Sequence, residues 1–317
     1  MTGDGADDAA VVAEMAGALS NWGRWGPDDE RGTLNLITPE KRAAAATLVR
    51  RGEVFALDIP LDAHGPQGGP RNPRSNPIHV VTRTGQDPPE VNGIGGTTQY
   101  TDDLAVLYLQ AGTQWDSLAH VYYDDQLYNG HPASTVTARG AEKNGVDKYH
   151  DRFVSRGVLL DIARLHGLER LDDGHDITSE ELDAASDAAS LEVEPGDIVL
   201  VRTGLMSTWR ETRRWDAFRG RNPGVHYTTA RWFAAHGVAA LACDNVGVER
   251  PGGLPTLAVP FHMLALRDMG MPLGEYWYLE DLADDCAGDG RYEFLLVAPA
   301  LKVTGAVGSP VTPLAIK

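Results

Sequence analysis

The sequence predicts an α/β fold, a single domain in which a mixed sheet carries packed helices. Three observations support this. Strand and helix signals alternate through the second half of the chain. The first half is rich in loops, so a cleanly doubly wound sheet is not expected. The chain has 317 residues, 42% of them hydrophobic, enough for one sizeable core, and shows no internal repeat or sharp compositional break.

In chain order, residues 1–20 read as a flexible segment with a short helix over 9–19, and 21–317 as the folded domain. The stretch NWGRWGPDDERGTLN at 21–35 is loop-like. Thr38, Pro39 and Glu40 supply a cap, a first-position proline and an acid in the first turn, so a helix is expected to run to Arg51 and stop at Gly52. A strand is expected over 54–61 and another over 79–83, inside a Gly- and Pro-rich stretch at 62–96. Loops this long are usually functional or mobile, and part of it is expected to cover a site. Strands are expected at 158–162, 198–202, 238–243, 292–298 and 301–304, and helices at 178–190, 228–235 and 261–269. The capping box from Thr178 to Glu181 marks the first of these helices.

The formal net charge is −17, which excludes the basic footprint that nucleic-acid binding needs. The two cysteines, Cys243 and Cys286, form no metal knuckle and read as buried thiols of a reducing compartment. The N-terminus is acidic and lacks a basic signal region, and no run of about 18 apolar residues occurs. A cytoplasmic protein with no membrane partner is expected.

The segment QAGTQWDSLAH at 110–120 carries the chemistry. If the chain turns into a helix near Trp115, Asp116 and His120 share one helical face and one cavity. The alternative is an ordinary helix start with a packed histidine. A second polar group lies at His262, opening a helix, and Glu275, a carboxylate among apolar neighbours. Such a carboxylate must be paired, protonated or bound to a cation. Asp197, Asp244 and Asn245 read as turn and strand-end residues. There is no nucleophile elbow, Walker loop, dinucleotide fingerprint or HExxH motif.

Taken together, residues 25–35, 112–120, 128–130, 262–275 and 308–315 resemble the cyclase superfamily that includes kynurenine formamidase and isatin hydrolase. The resemblance covers most of the chain, from about Trp22 to Ile316. It implies a swivelling β/β/α fold, assembled as a homodimer or homotetramer, acting on a small molecule. The family motif is His-x-Gly-Thr-His-x-Asp-x-x-x-His. Its first two histidines and its aspartate bind a divalent metal, its last histidine is the general acid/base, and a later histidine and glutamate complete a second metal position or the proton relay. Carried over, these roles fall on Asp116, His120, His262 and Glu275. Gln110 and Gln114 stand where the first two histidines would be. A neutral amide oxygen is a far poorer zinc ligand than imidazole, so the metal position is expected to be weakened or empty. Asp116, His262 and Glu275 still number three, enough for a divalent ion such as Zn or Mn if they converge.

Three functions follow. The first is hydrolysis of a C–N bond in a small cyclic or aryl amide, with His120 moving the proton, Gln110 and Gln114 contacting substrate, and Trp25, Trp115 and Tyr122 lining the pocket. The second is metal-free acid/base chemistry by Asp116–His120 and His262–Glu275: a cyclase, dehydratase or isomerase tailoring polyketides or alkaloids. The third is a non-catalytic ligand-binding relative.

Overall fold

The computed structural model describes residues 4–68, 73–88, 99–250, 254 and 257–317, with the backbone alone for 4–8. Its centre is a nine-stranded sheet. In chain order the strands are β1 (Val54–Ala56), β2 (Gln114–Asp116), β3 (Val154–Asp161), β4 (Ile198–Arg202), β5 (Ala240–Cys243), β6 (Leu273–Glu275), β7 (Glu293–Val297), β8 (Gly308–Pro310) and β9 (Leu314–Ile316). Their spatial order is β1-β9-β7-β3-β4-β5-β6-β2-β8.

The four central strands, β3 to β6, run parallel to one another. Every residue of β4 and β5 is buried, as expected for strands covered on both faces. The outer strands pair antiparallel, so the sheet is mixed. A separate two-stranded hairpin, Ile78–Arg83 with Asp102–Val106, stands off the sheet.

Several elements follow their local signals. Thr38 caps the helix Pro39–Ala46, and Thr178 with Glu181 closes a complete capping box on Ser179–Ala188. Such a cap contributes about 1 kcal/mol. Elsewhere tertiary context shortens or moves what local pattern predicts. The helix from Pro39 ends at Ala46, not Arg51. The first strand is three residues long, because pairing with β9 stops at Ala56. No strand forms over 301–304. The closing strands are β8 and β9 instead, where edge pairing with β2 and β1 is available. Among the described residues, no helix is long and apolar enough to cross a membrane. Both cysteines are buried free thiols.

A buried ion-pair centre ties the sheet to the last helix. Arg202, at the end of β4, reaches Asp161 at 2.8 Å and Glu280 at 2.5 Å. The strand-end residues Asp244 and Asn245 are used structurally. Asp244 accepts from the backbone and hydroxyl of Thr203 and from Gly204 N, and the Asn245 amide donates to Pro223 and Val248 carbonyls.

Candidate active site

The expected helix at Trp115 is not there. Gln114–Asp116 is strand β2, held between β6 and β8. A strand alternates its side chains, so Gln114 and Asp116 face one side and Trp115 the other. The register pairs Leu273 with Asp116 and Glu275 with Gln114, which puts Glu275 on the Asp116 side. Trp115 and its partner Gly274 face the core. A Cβ at Gly274 would fall 2.7 Å from Trp277 Nε1 and 2.8 Å from Ala242 Cβ, so the close packing needs glycine there.

Trp115 therefore does not line a pocket, as the sequence suggested it would. It is fully buried, stacks on Phe153 at 4.5 Å, meets Trp277 edge-on, and donates its indole N–H to Ala298 O at 2.9 Å. Trp25 lies on a surface hollow formed by residues 26–31 and Lys148, beneath the Arg24 guanidinium. Tyr122 is largely exposed.

After Asp116 the chain turns back, with His120 N donating to Ser117 O at 3.0 Å. This turn, not a helix, returns His120 Nε2 to 3.6 Å from Asp116 Oδ1. His262 arrives from a segment far along the chain. It ends the short helical turn Pro260–His262, which continues as a π-helix, Met263–Met269. Periodicity suggested an α-helix here; π turns are often found at functional sites. His262 Nε2 lies 4.0 Å from Asp116 Oδ2 and 3.6 Å from Glu275 Oε1. Asp116, His120, His262 and Glu275 thus meet at one place.

Two of the motifs noted in the sequence hold this arrangement from behind. Asn21, Trp22 and Thr33 bond to the Met269, Arg267 and Gly270 carbonyls of the π-helix and its cap. Asn129, in the 128–130 motif, donates to Gly26, Pro27 and Asp29 carbonyls and so shapes that loop.

Glu249 was not singled out in the sequence, where nothing distinguishes it from a surface acid. It is buried and accepts from His262 Nδ1 at 2.7 Å, and from the backbone N–H groups of His262 and Phe261. With Nδ1 committed as the donor, Nε2 is presented to Asp116 and Glu275. Two non-glycine residues beside these carboxylates sit in the left-handed region: Val248 before Glu249 (φ 56) and Tyr276 after Glu275 (φ 58). Bulky side chains rarely take this conformation, and such strain clusters at functional sites. Arg74 was also missed. Its positive charge, from the long 62–96 loop, lowers the pKa of both Asp116 and Glu275. Residues 69–72 and 89–96 of that loop lie outside the described residues.

The electrostatics separate the carboxylates. Burial pushes the Asp116 carboxyl above its usual range; Glu275 adds to this, while His120, His262 and Arg74 oppose it. Burial also works on Glu275, but the hydrogen bond and charge of His262 bring it below the usual range. For His262, burial disfavours the charge, yet Glu249 and Glu275 outweigh it and raise the imidazolium pKa to about 10. The nearby Cys243 thiol is raised by burial, which makes it inert as a nucleophile.

A divalent cation fits this donor set. Among the described residues, Asp116 Oδ2 and Gln114 Oε1 are buried without a hydrogen-bond partner. Each is an acceptor that costs free energy unless something positive meets it. A carboxylate behind a ligating histidine, as Glu249 stands behind His262, is the usual outer support of a metal ligand. The expectation that Gln110 and Gln114 leave the metal position weak or empty is corrected by this geometry. Both groups of metal-ligating side chains found among the described residues contain intact histidines: Asp116, His262, Glu275 and, elsewhere, His166, His175, Glu181. Gln114 instead donates its amide to Asp116 Oδ1 at 3.3 Å, and the Gln110 side chain packs over Gly308.

A mixed α/β sheet with two histidines and two buried carboxylates meeting beside its adjacent strands β2 and β6 defines an enzyme with a candidate metal site. A family model described as putative cyclase matches residues 41–250. Among solved structures, the crystal structure of a novel cyclase is 41% identical, with a TM-score of 0.86, over 95% of this chain and 99% of that one. The chain belongs to the putative cyclase family. An isatin hydrolase bound to the product analogue thioisatinate is 17% identical, with a TM-score of 0.61, over 88% of this chain and 98% of that one. Isatin hydrolase A from Labrenzia aggregata, bound to benzyl benzoate, is 18% identical, with a TM-score of 0.62, over 86% and 94%. These two share the fold. No curated protein matches the chain.

Proposed function

We propose that the protein hydrolyses the C–N bond of a small cyclic or aryl amide, with a divalent ion held by Asp116, His262 and Glu275. The observation that carries this reading is the buried Asp116 Oδ2, without a donor, facing a histidine whose other nitrogen is fixed by Glu249. The isatin hydrolases that share the fold support the substrate class. We also infer that Gln110 and Gln114 stand at the positions of the family's first two motif histidines. The unpaired Gln114 Oε1 supports a role for that amide toward the ion or substrate.

The ion would supply Lewis-acid polarisation of the amide carbonyl. Glu249 holds the His262 tautomer, and Gln114 steadies Asp116. His120, partly open to solvent, takes the proton from the attacking water and returns it to the leaving nitrogen. Asp116 orients His120 and stabilises its charged form.

The same reading includes a homo-oligomer in the cytoplasm. The hairpin Ile78–Arg83 with Asp102–Val106 exposes Ile78, Val80, Val81, Leu104 and Val106, a surface suited to self-association. The free thiols are consistent with a reducing compartment.

The test is a panel of cyclic and aryl amides, beside matched lactones, assayed on protein loaded with divalent ions and on chelated protein. Amide cleavage that chelation abolishes is expected. No amide turnover under any ion would sink the reading. Turnover indifferent to chelation would favour the metal-free acid/base alternative.

A further inference from the structure

Away from the active site, three segments bring metal-ligating atoms together at the surface. His166 caps the C-terminus of the helical turn Ile162–Leu165, His175 precedes the short strand Asp176–Ile177, and Glu181 is the third residue of the helix Ser179–Ala188. Both imidazole Nε2 atoms converge on one oxygen, Glu181 Oε1, at 2.6 Å from His166 and 2.8 Å from His175. The rings are 5.3 Å apart and inclined at 68°. The other carboxylate oxygen is committed, since Oε2 accepts Thr178 N at 2.8 Å in the capping box.

We propose that His166, His175 and Glu181 form a second metal site, for a divalent ion of the zinc class, with solvent as the fourth ligand.

The donor set carries the choice of ion. Two imidazole nitrogens and one carboxylate oxygen suit a borderline-soft cation and offer too few oxygens for calcium or magnesium. Tetrahedral zinc holds such atoms at about 2.0–2.1 Å, which separates the ligand atoms from each other by about 3.3 Å. The two nitrogen–oxygen distances need to open by about 0.5–0.7 Å, within the reach of ordinary side-chain rotation. All three side chains are partly open to water, the most exposed being His166 at 38%, so an entry path and a fourth ligand are at hand. Glu181 is anchored before the ion arrives.

The ion would act as a staple. It would tie the strand Asp176–Ile177 to the helix that follows. That strand pairs in parallel with Gly224–Val225, and Val225 bridges Glu249, the residue behind His262. The site would brace the backbone that carries the active-site support, and it is independent of the proposed reaction.

The experiment counts bound zinc by equilibrium dialysis and elemental analysis, beside thermal melts with and without zinc. The samples are the wild type, a His166→Ala/His175→Ala double variant and Glu181→Gln. The expected result is one ion fewer per chain in the double variant, and a zinc-dependent rise in Tm that the wild type shows more strongly than either variant. Whatever binds at Asp116, His262 and Glu275 is common to all samples and cancels in the difference. Glu181→Gln keeps an acceptor for the helix cap, so its loss of zinc binding with an intact fold separates metal binding from capping. Equal zinc content in wild type and double variant, or an equal zinc-dependent rise in Tm, overturns the proposal.

Discussion

The carboxylate of Glu249 sits 2.7 Å from Nδ1 of His262, while the opposite ring nitrogen looks toward Asp116 and Glu275. Glu249 stands behind the ring, yet it sets which nitrogen is offered to those carboxylates. Its replacement by glutamine keeps an acceptor and removes the charge. Glu249→Gln is expected to weaken divalent-ion binding by about 10–100-fold. Ion titration followed by calorimetry checks this, and unchanged affinity would reduce Glu249 to a helix-end cap.

His120 is the most exposed member of the cluster, at 21% of its side chain, and carries little of the core. His120→Ala is therefore expected to leave the melting curve nearly unchanged while lowering kcat by about 10²–10⁴. Steady-state kinetics on a cleaved amide measures it. Full turnover by this variant removes His120 from the mechanism.

His262 makes stability depend on pH in a direction that a metal ion reverses. Without metal its folded pKa is about 10, raised from an ordinary 6.5. A histidine raised by folding contributes stability that is fully present below 6.5 and lost as pH climbs through about 10. The Tm of chelated wild type should fall across that window more steeply than that of His262→Gln. A bound ion needs the neutral ring, so its stabilisation should grow as pH rises. Melts at several pH values, with and without ion, decide between these slopes.

Arg202 joins Asp161 and Glu280 where almost no water reaches. Arg202→Met would leave the buried Glu280 carboxylate without its cation and Asp161 with Arg164 alone. A loss of about 3–5 kcal/mol is expected for breaking such a pair by removing one partner. Urea denaturation gives the value, and a loss under 1 kcal/mol would mean that the carboxylates find protons or water instead.

The amino-acid sequence alone determined the class of fold and the identities of the groups that meet. Continuous apolar runs required the buried strands β4 and β5, and Thr178 with Glu181 required a helix start. These are local preferences, legible within a few residues. The pairing of Asp116 with His120 was also anticipated, but through a helical turn that does not exist. Only the tertiary structure decided that 114–116 is a strand, because the bonds that make it one come from Leu273–Glu275 and Gly308–Pro310, far along the chain. That one change sent Trp115 into the core and left Gln114, Asp116 and Glu275 on a common face. The roles of Glu249 and Arg74 were illegible for the same reason: a charge acquires a function from what faces it, and what faces these two is set by long-range packing.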